Sequence, residues 1–328
     1  MIIIVRLILK IIIMKKLLLL LTTALFVSCS SEDHITVKDS TAQNSLSVLD
    51  GKVLSFKDER SFVREYSDLA NLSKDELQSW VAGKKLVSLL SVPNDLSDME
   101  EDVLSDSRVI YSDALKSILN SESKVKIDGK VLWLNERSFY LLSQNEINKS
   151  SNELLNIKDE LEVYGQLLSV SGAAKSLTSR NVLPNENRIK TFATSEMNVS
   201  GSRLRHVVDL YNETIVLNDQ IKTSKMYLRT MLQYRSCSTF KCTWKEAFNV
   251  RTVSTNLYCS VCSNVVVAPW SLVSTNINAY EISGTKTYLL ANWTLNQVLA
   301  NPYPSFAVSG PVNCQVAGST VSFDLSWY

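Results

Sequence analysis

Histidine is almost missing from this chain: His34 and His206 are the only two in 328 residues. A Ser/His/Asp or Cys/His mechanism needs an imidazole as its general base. His34 lies in a polar stretch that nothing positions, so such a mechanism would fall to His206. That residue heads the apolar run His206-Val207-Val208, where a half-buried structural histidine is the expectation. G-x-S-x-G, H-E-x-x-H, P-loop and G-x-G-x-x-G patterns are also absent, and the chemistries they carry lose their support. A hydrolase built on two carboxylates has no sequence signature, and no acidic pair stands out. No cofactor is implied.

An excess of charge is missing too. Lys and Arg total 34 against 33 Asp and Glu. Removing residues 1–28 deletes Arg6, Lys10, Lys15 and Lys16 and no acid, leaving 30 bases against 33 acids. Nucleic acid is therefore not an expected partner, because it requires a basic face. Beyond the N-terminal segment no apolar run is long enough for a membrane helix, which needs roughly 20 residues.

What is present first is an export signal. Lys15 and Lys16 form a short positive region after Met14. Leu17 to Val27 is apolar apart from Thr22 and Thr23, and Ser28 and Cys29 follow. A charged start, a short apolar core and a small residue at the cut describe a secretory signal peptide. Phe26-Val27-Ser28-Cys29 resembles the lipobox of bacterial lipoproteins, with Phe26 standing where leucine is usual. The resemblance implies cleavage before Cys29, acylation of its thiol (palmitate among the acyl groups) and a membrane partner reached through lipid. The alternative is an ordinary signal peptide with a chance cysteine.

Met1 to Ile13 is a second apolar run broken by Arg6 and Lys10, and Met14 is the expected true start. Ser30-Ser31-Glu32-Asp33 resembles the surface-export signal of Bacteroidota lipoproteins, and Asp39-Ser40-Thr41 their O-glycosylation tripeptide. The implied location is the outer membrane, facing outward. Residues 1–28 are then the signal peptide and 29–47 a polar flexible tether.

The remainder reads as α+β in two domains, a mixed domain over 48–185 and an antiparallel β-sandwich over 186–328. Asp50-Gly51 and Asp128-Gly129, each followed by Lys-Val-Leu, are tight-hairpin signals. Ser73 with Glu76 reads as a capping box before Leu77, Trp80 and Val81. A second helix is expected from Ser112 or Asp113 to Asn120, and a third over Asn152 to Leu168 on a stripe of Leu154, Ile157, Leu161, Tyr164 and Leu168. The segment Tyr111–Leu142 resembles a module of uncharacterised Bacteroidota lipoproteins, which implies no activity. After residue 187, β-branched and alternating runs at Leu204–Leu210, Ile215–Leu217, Lys225–Tyr234, Ala247–Val253, Asn264–Ala268, Thr287–Trp293 and Thr320–Trp327, separated by Asn, Ser, Gly and Pro, point to the sandwich, closing on Val321-x-Phe323-x-Leu325-x-Trp327.

Two features carry candidate chemistry. Cys237-x4-Cys242 and Cys259-x2-Cys262, with Cys314 left over, can form disulfides, remain thiols, or hold zinc between four thiolates. Export favours disulfides. Aromatic residues crowd the C-terminal part, and Trp244, Trp270 and Trp293 are the candidate rings for stacking on a glycan, against the alternative that they pack inside the sandwich. The expected function is a surface module binding a glycan or another extracellular ligand. A fimbria-like adhesive subunit and an envelope hydrolase are the alternatives.

Overall fold

The computed structural model describes residues 46–92, 109–168, 189–194, 196–239, 241–263, 271–282, 284–294 and 304–327. The signal peptide, Cys29 and nearly all of the expected tether lie outside them. The described part is mixed α+β: a helix-and-strand region followed by a larger antiparallel, sandwich-like body.

Both Asp-Gly hairpins form, but they turn differently. β1 (Ser47–Asp50) and β2 (Val53–Phe56) pair through Asp50↔Val53, so Gly51-Lys52 makes the loop. Gly51 has φ 61, the arrangement of a two-residue turn with glycine first. β3 (Lys124–Ile127) and β4 (Lys130–Asn135) pair through Ile127↔Lys130, so the loop is Asp128-Gly129. Both of those residues have positive φ, 51 and 74. The same five letters are thus read one residue out of step. β2 and β3 then pair in parallel, and β5 (Ser138–Leu142) extends the sheet beside β4.

Three helices cover these strands. In α1 (Glu59–Leu69) the Asp58 carboxylate accepts from the Ser61 N–H at 2.7 Å, and Phe62, Val63, Tyr66 and Leu69 are buried. α2 (Lys74–Lys84) opens with the expected Ser73/Glu76 capping box and buries Leu77 and Val81. α3 (Asp113–Ile118) is capped by Ser112. Their apolar faces close a core with Leu54, Phe56, Val125, Leu132 and Phe139 of the strands.

The expected third helix is corrected. Helix α4 covers only Ser151–Leu155, and Glu162–Leu168 is strand β6. The 3.6-residue stripe of this segment stops at Leu161. Beyond it, burial alternates with period two, Gly165 and Leu167 inward and their neighbours half-exposed. Gly165 explains the switch. A Cβ there would meet the Val216 carbonyl oxygen at 2.3 Å, so its bare backbone lets β6 lie against β9 (Ser202–Leu217).

That pairing joins both halves of the chain in one 12-stranded sheet. The expected domain boundary at 185/186 falls outside the described residues, and the strands on either side of it are hydrogen-bonded neighbours. β9 and β10 (Gln220–Cys237) form a long hairpin closed by Asn218-Asp219, both with positive φ. Runs expected as separate strands at 204–210 and 215–217 are one strand. β7 (Ile189–Ala193) and β8 (Met197–Val199) line β9 beside β6. β11 (Cys242–Glu246) and β14 (Thr285–Thr294) line β10. The run expected at Asn264–Ala268 lies outside the described residues.

A second sheet, β13-β12-β15-β16, comprises Ser271–Glu281, Arg251–Ser263, Pro304–Val316 and Ser319–Trp327. Its inner face packs Val253, Leu257, Val308, Val312, Phe323 and Leu325 against Val208, Leu210, Met226 and Leu228 of the hairpin. The β-sandwich expectation rests on this core.

Candidate functional site

The β9–β10 hairpin carries the densest chemistry in the molecule, and all of it is inside. On the face turned to the helices, Asp209 stands opposite Arg229, Tyr211 opposite Tyr227, and Glu213 opposite Lys225. Asp209 accepts from Arg229 at 2.5 Å and from the Thr191 hydroxyl at 2.7 Å. Glu213 accepts from the Ser112 N–H at 2.8 Å, the Ser112 hydroxyl at 2.6 Å and the Tyr66 hydroxyl. The Lys225 ammonium donates to Thr223 at 2.9 Å and Ser67 at 3.2 Å and lies 3.9 Å from the centre of the Tyr66 ring. Burial draws the Lys225 pKa down to about 7, against the pull of Glu213. The same burial raises Tyr66, Tyr211 and Tyr227 well above the ordinary phenol value.

Asp209, Glu213 and Lys225 have no exposed surface. The two carboxylates are held by donors and reach no substrate, so this cluster fastens the helices to the sandwich. His206 is likewise 1% exposed. Burial and the nearby Arg251 lower its pKa to about 4, and it stays neutral in the core.

Cys237 and Cys242 face each other across β10 and β11 and are bridged. Cys259 is a buried free thiol of the sandwich core, as is Cys314, and burial pushes their pKa values up to about 12 and about 11. Cys259 and Cys262 lie three residues apart on one strand, which separates their Cα atoms by roughly 10 Å. A disulfide spans at most about 7 Å, so that pair does not bridge. A four-thiolate zinc site does not assemble from these residues either, because two thiols are bonded to each other and Cys259 points into the core. Among the described residues no group of three His, Cys, Asp or Glu is placed for a metal ion.

Of the candidate stacking rings, Trp244 is 7% exposed and covered by the Arg205 guanidinium, 4.2 Å from its centre. Trp293 is half-buried and packs against the sandwich core. Trp270 lies outside the described residues. Neither described tryptophan presents an open face.

The open aromatic faces are elsewhere, on the outer side of the second sheet. Even-numbered residues of β12 and β13 point outward and pair directly: Thr252 with Tyr280, Ser254 with Asn278, Asn256 with Asn276, Tyr258 with Ser274. Tyr258 is 50% exposed and Tyr280 80%. The same face continues through Ser309, Asn313 and Gln315 of β15 to Thr320, Ser322, Asp324 and Ser326 of β16. Among the described outward residues of these four strands Asp324 is the one that is charged, in a chain that is 20% charged, and the Lys190 ammonium of β7 reaches the edge of the face at the Ser326 hydroxyl, 3.0 Å away. At the Tyr280 end the exposed apolar residues Val250 and Ile282 flank the Arg251↔Glu281 pair that closes the ladder. Gly310, at φ 129, brings β15 against the Asn256 carbonyl, which a Cβ would meet at 2.4 Å.

Sequence reading missed this surface although its signal was there. Thr252, Ser254, Asn256 and Tyr258 alternate with Val253, Thr255, Leu257 and Cys259, a half-buried strand by its period. Trp244 and Trp293, the described tryptophans among the candidate rings, occupy covered positions instead.

No family model matches the chain, and no curated protein matches it. It has a likeness to the crystal structure of a DUF4848 family protein from Bacteroides thetaiotaomicron VPI-5482. The two are 12% identical, the match covers 85% of this chain and 98% of that one, and the TM-score is 0.19. A likeness at that score fixes neither fold nor function.

Proposed function

We propose that this protein is a lipid-anchored component of the cell envelope that binds an extracellular ligand on the outer face of its β13-β12-β15-β16 sheet. The observation that carries the reading is that face: open, nearly free of charge, and bearing the exposed rings of Tyr258 and Tyr280. Tyrosine is enriched at interfaces, where its ring supplies apolar contact and its hydroxyl stays wet. The lipobox-like Phe26-Val27-Ser28-Cys29 supplies the anchor, and the Cys237–Cys242 bridge agrees with an oxidising compartment.

Metabolic labelling with an alkyne fatty acid tests the anchor. Label on the native chain, absent from Cys29→Ala, is expected, together with release of the folded body when intact cells are treated with protease. Label retained by Cys29→Ala, or a body reached by protease only after lysis, contradicts the reading.

A further inference from the structure

We infer that the ligand of this face is a neutral polysaccharide chain lying along β12 and β13, with Tyr258 and Tyr280 as its two stacking platforms. The inference rests on the preceding reading of the outer face. Tyr280 stands opposite Thr252, six residues along β12 from Tyr258. The two rings are therefore separated by about 20 Å along the strands and one strand spacing of about 4.8 Å across them. A polymer that touches both must be extended.

Between the rings lie Ser254, Asn256, Asn276 and Asn278. Each Asn amide offers two donors and an acceptor, and each hydroxyl one donor and two lone pairs. That inventory matches sugar hydroxyls, which both donate and accept. Between the two rings β12 and β13 hold no charged side chain to pair with a polyanion, Lys190 lies two strands away against the Ser326 hydroxyl at 3.0 Å, and Asp324 on β16 repels a polyanion. A strand-forming peptide would instead pair with main-chain groups at the β13 edge and would not need the Tyr258 ring on β12.

Affinity electrophoresis and calorimetry of the full mature chain test the inference. The probes are soluble neutral polymers (β-glucan, mannan, galactan, xylan) and the acidic polymers polygalacturonate and hyaluronate. Retardation by at least one neutral polymer is expected, weakened about fivefold or more by either Tyr258→Ala or Tyr280→Ala, with thermal stability unchanged because both rings are exposed. Asn256→Asp, which adds a charge midway, is expected to weaken the same binding. Binding of acidic polymers only, or self-association of the chain through these tyrosines, overturns the neutral-glycan assignment while leaving the outer face as a binding surface. Neutral-polymer binding that ignores all three substitutions overturns both the assignment and the choice of face. Binding of none of the polymers, with no self-association, overturns both as well.

Discussion

Tyr66 shows how one hydroxyl can hold two layers together. It leaves α1, donates to Glu213 of β9, and places its ring beneath the Lys225 ammonium. Removing that donor leaves a fully buried carboxylate with fewer partners, which costs about 1–3 kcal/mol. Tyr66→Phe is therefore expected to lower the unfolding free energy by that amount, read as a lower urea midpoint at an unchanged slope. A loss within experimental error would mean that Ser112 alone satisfies Glu213. His206 makes a second prediction at this scale. Its folded pKa of about 4 lies below the ordinary value of 6.5, so the unfolded chain binds the proton first. Stability is then full above pH 6.5 and falls as pH drops towards 4, by on the order of 2 kcal/mol between pH 7 and 5. Denaturation of the native chain and His206→Gln at both pH values checks this; the variant should lose that part of the pH slope.

Strand β6 is the element on which the architecture turns, because it hydrogen-bonds β5 on one side and β9 on the other. Gly165→Ala places a methyl group against the Val216 carbonyl and the Leu217 side chain. Overpacking of this kind typically costs 1–3 kcal/mol, and a contact with backbone belongs at the upper end. Hydrogen exchange should quicken first in β6 and the 214–217 stretch of β9, while the β12–β15 amides stay protected. Faster exchange throughout, with no local opening, would contradict this view of the joint. The same element marks the limit of what was legible. Capping by Ser73 and Ser112, both hairpins and the closing strand were readable because each depends on neighbours in sequence. β6 was not, since an 11-residue window holding Leu161, Tyr164 and Leu168 fits a helix until β9, about fifty residues further on, supplies an edge.

At the scale of the whole molecule, one core lies under the helices and a second inside the sandwich. Buried charge sits between them, at Asp209–Arg229 and around Glu213, where it sets how helices and sandwich fit. The outward face of the second sheet is left almost without charge. The sequence had pointed to an envelope location and an α+β body, and the fold bears out the latter. It did not point to the binding face, because the period-two alternation of 252–259 marks one half-buried strand, and only strand pairing sets its outward residues beside those of 274–280 as one surface. The central claim is that this surface faces the outside of the cell. Its most direct test is labelling of Asn256→Cys by a membrane-impermeant maleimide, with the parent chain as baseline. Cys259 and Cys314 are buried, and a Cys262→Ser background removes the remaining cysteine of the sandwich, so the added thiol should stand out. Labelling on intact cells that disappears when Cys29→Ala is added is the predicted result; labelling that appears only after the cells are broken would contradict the account.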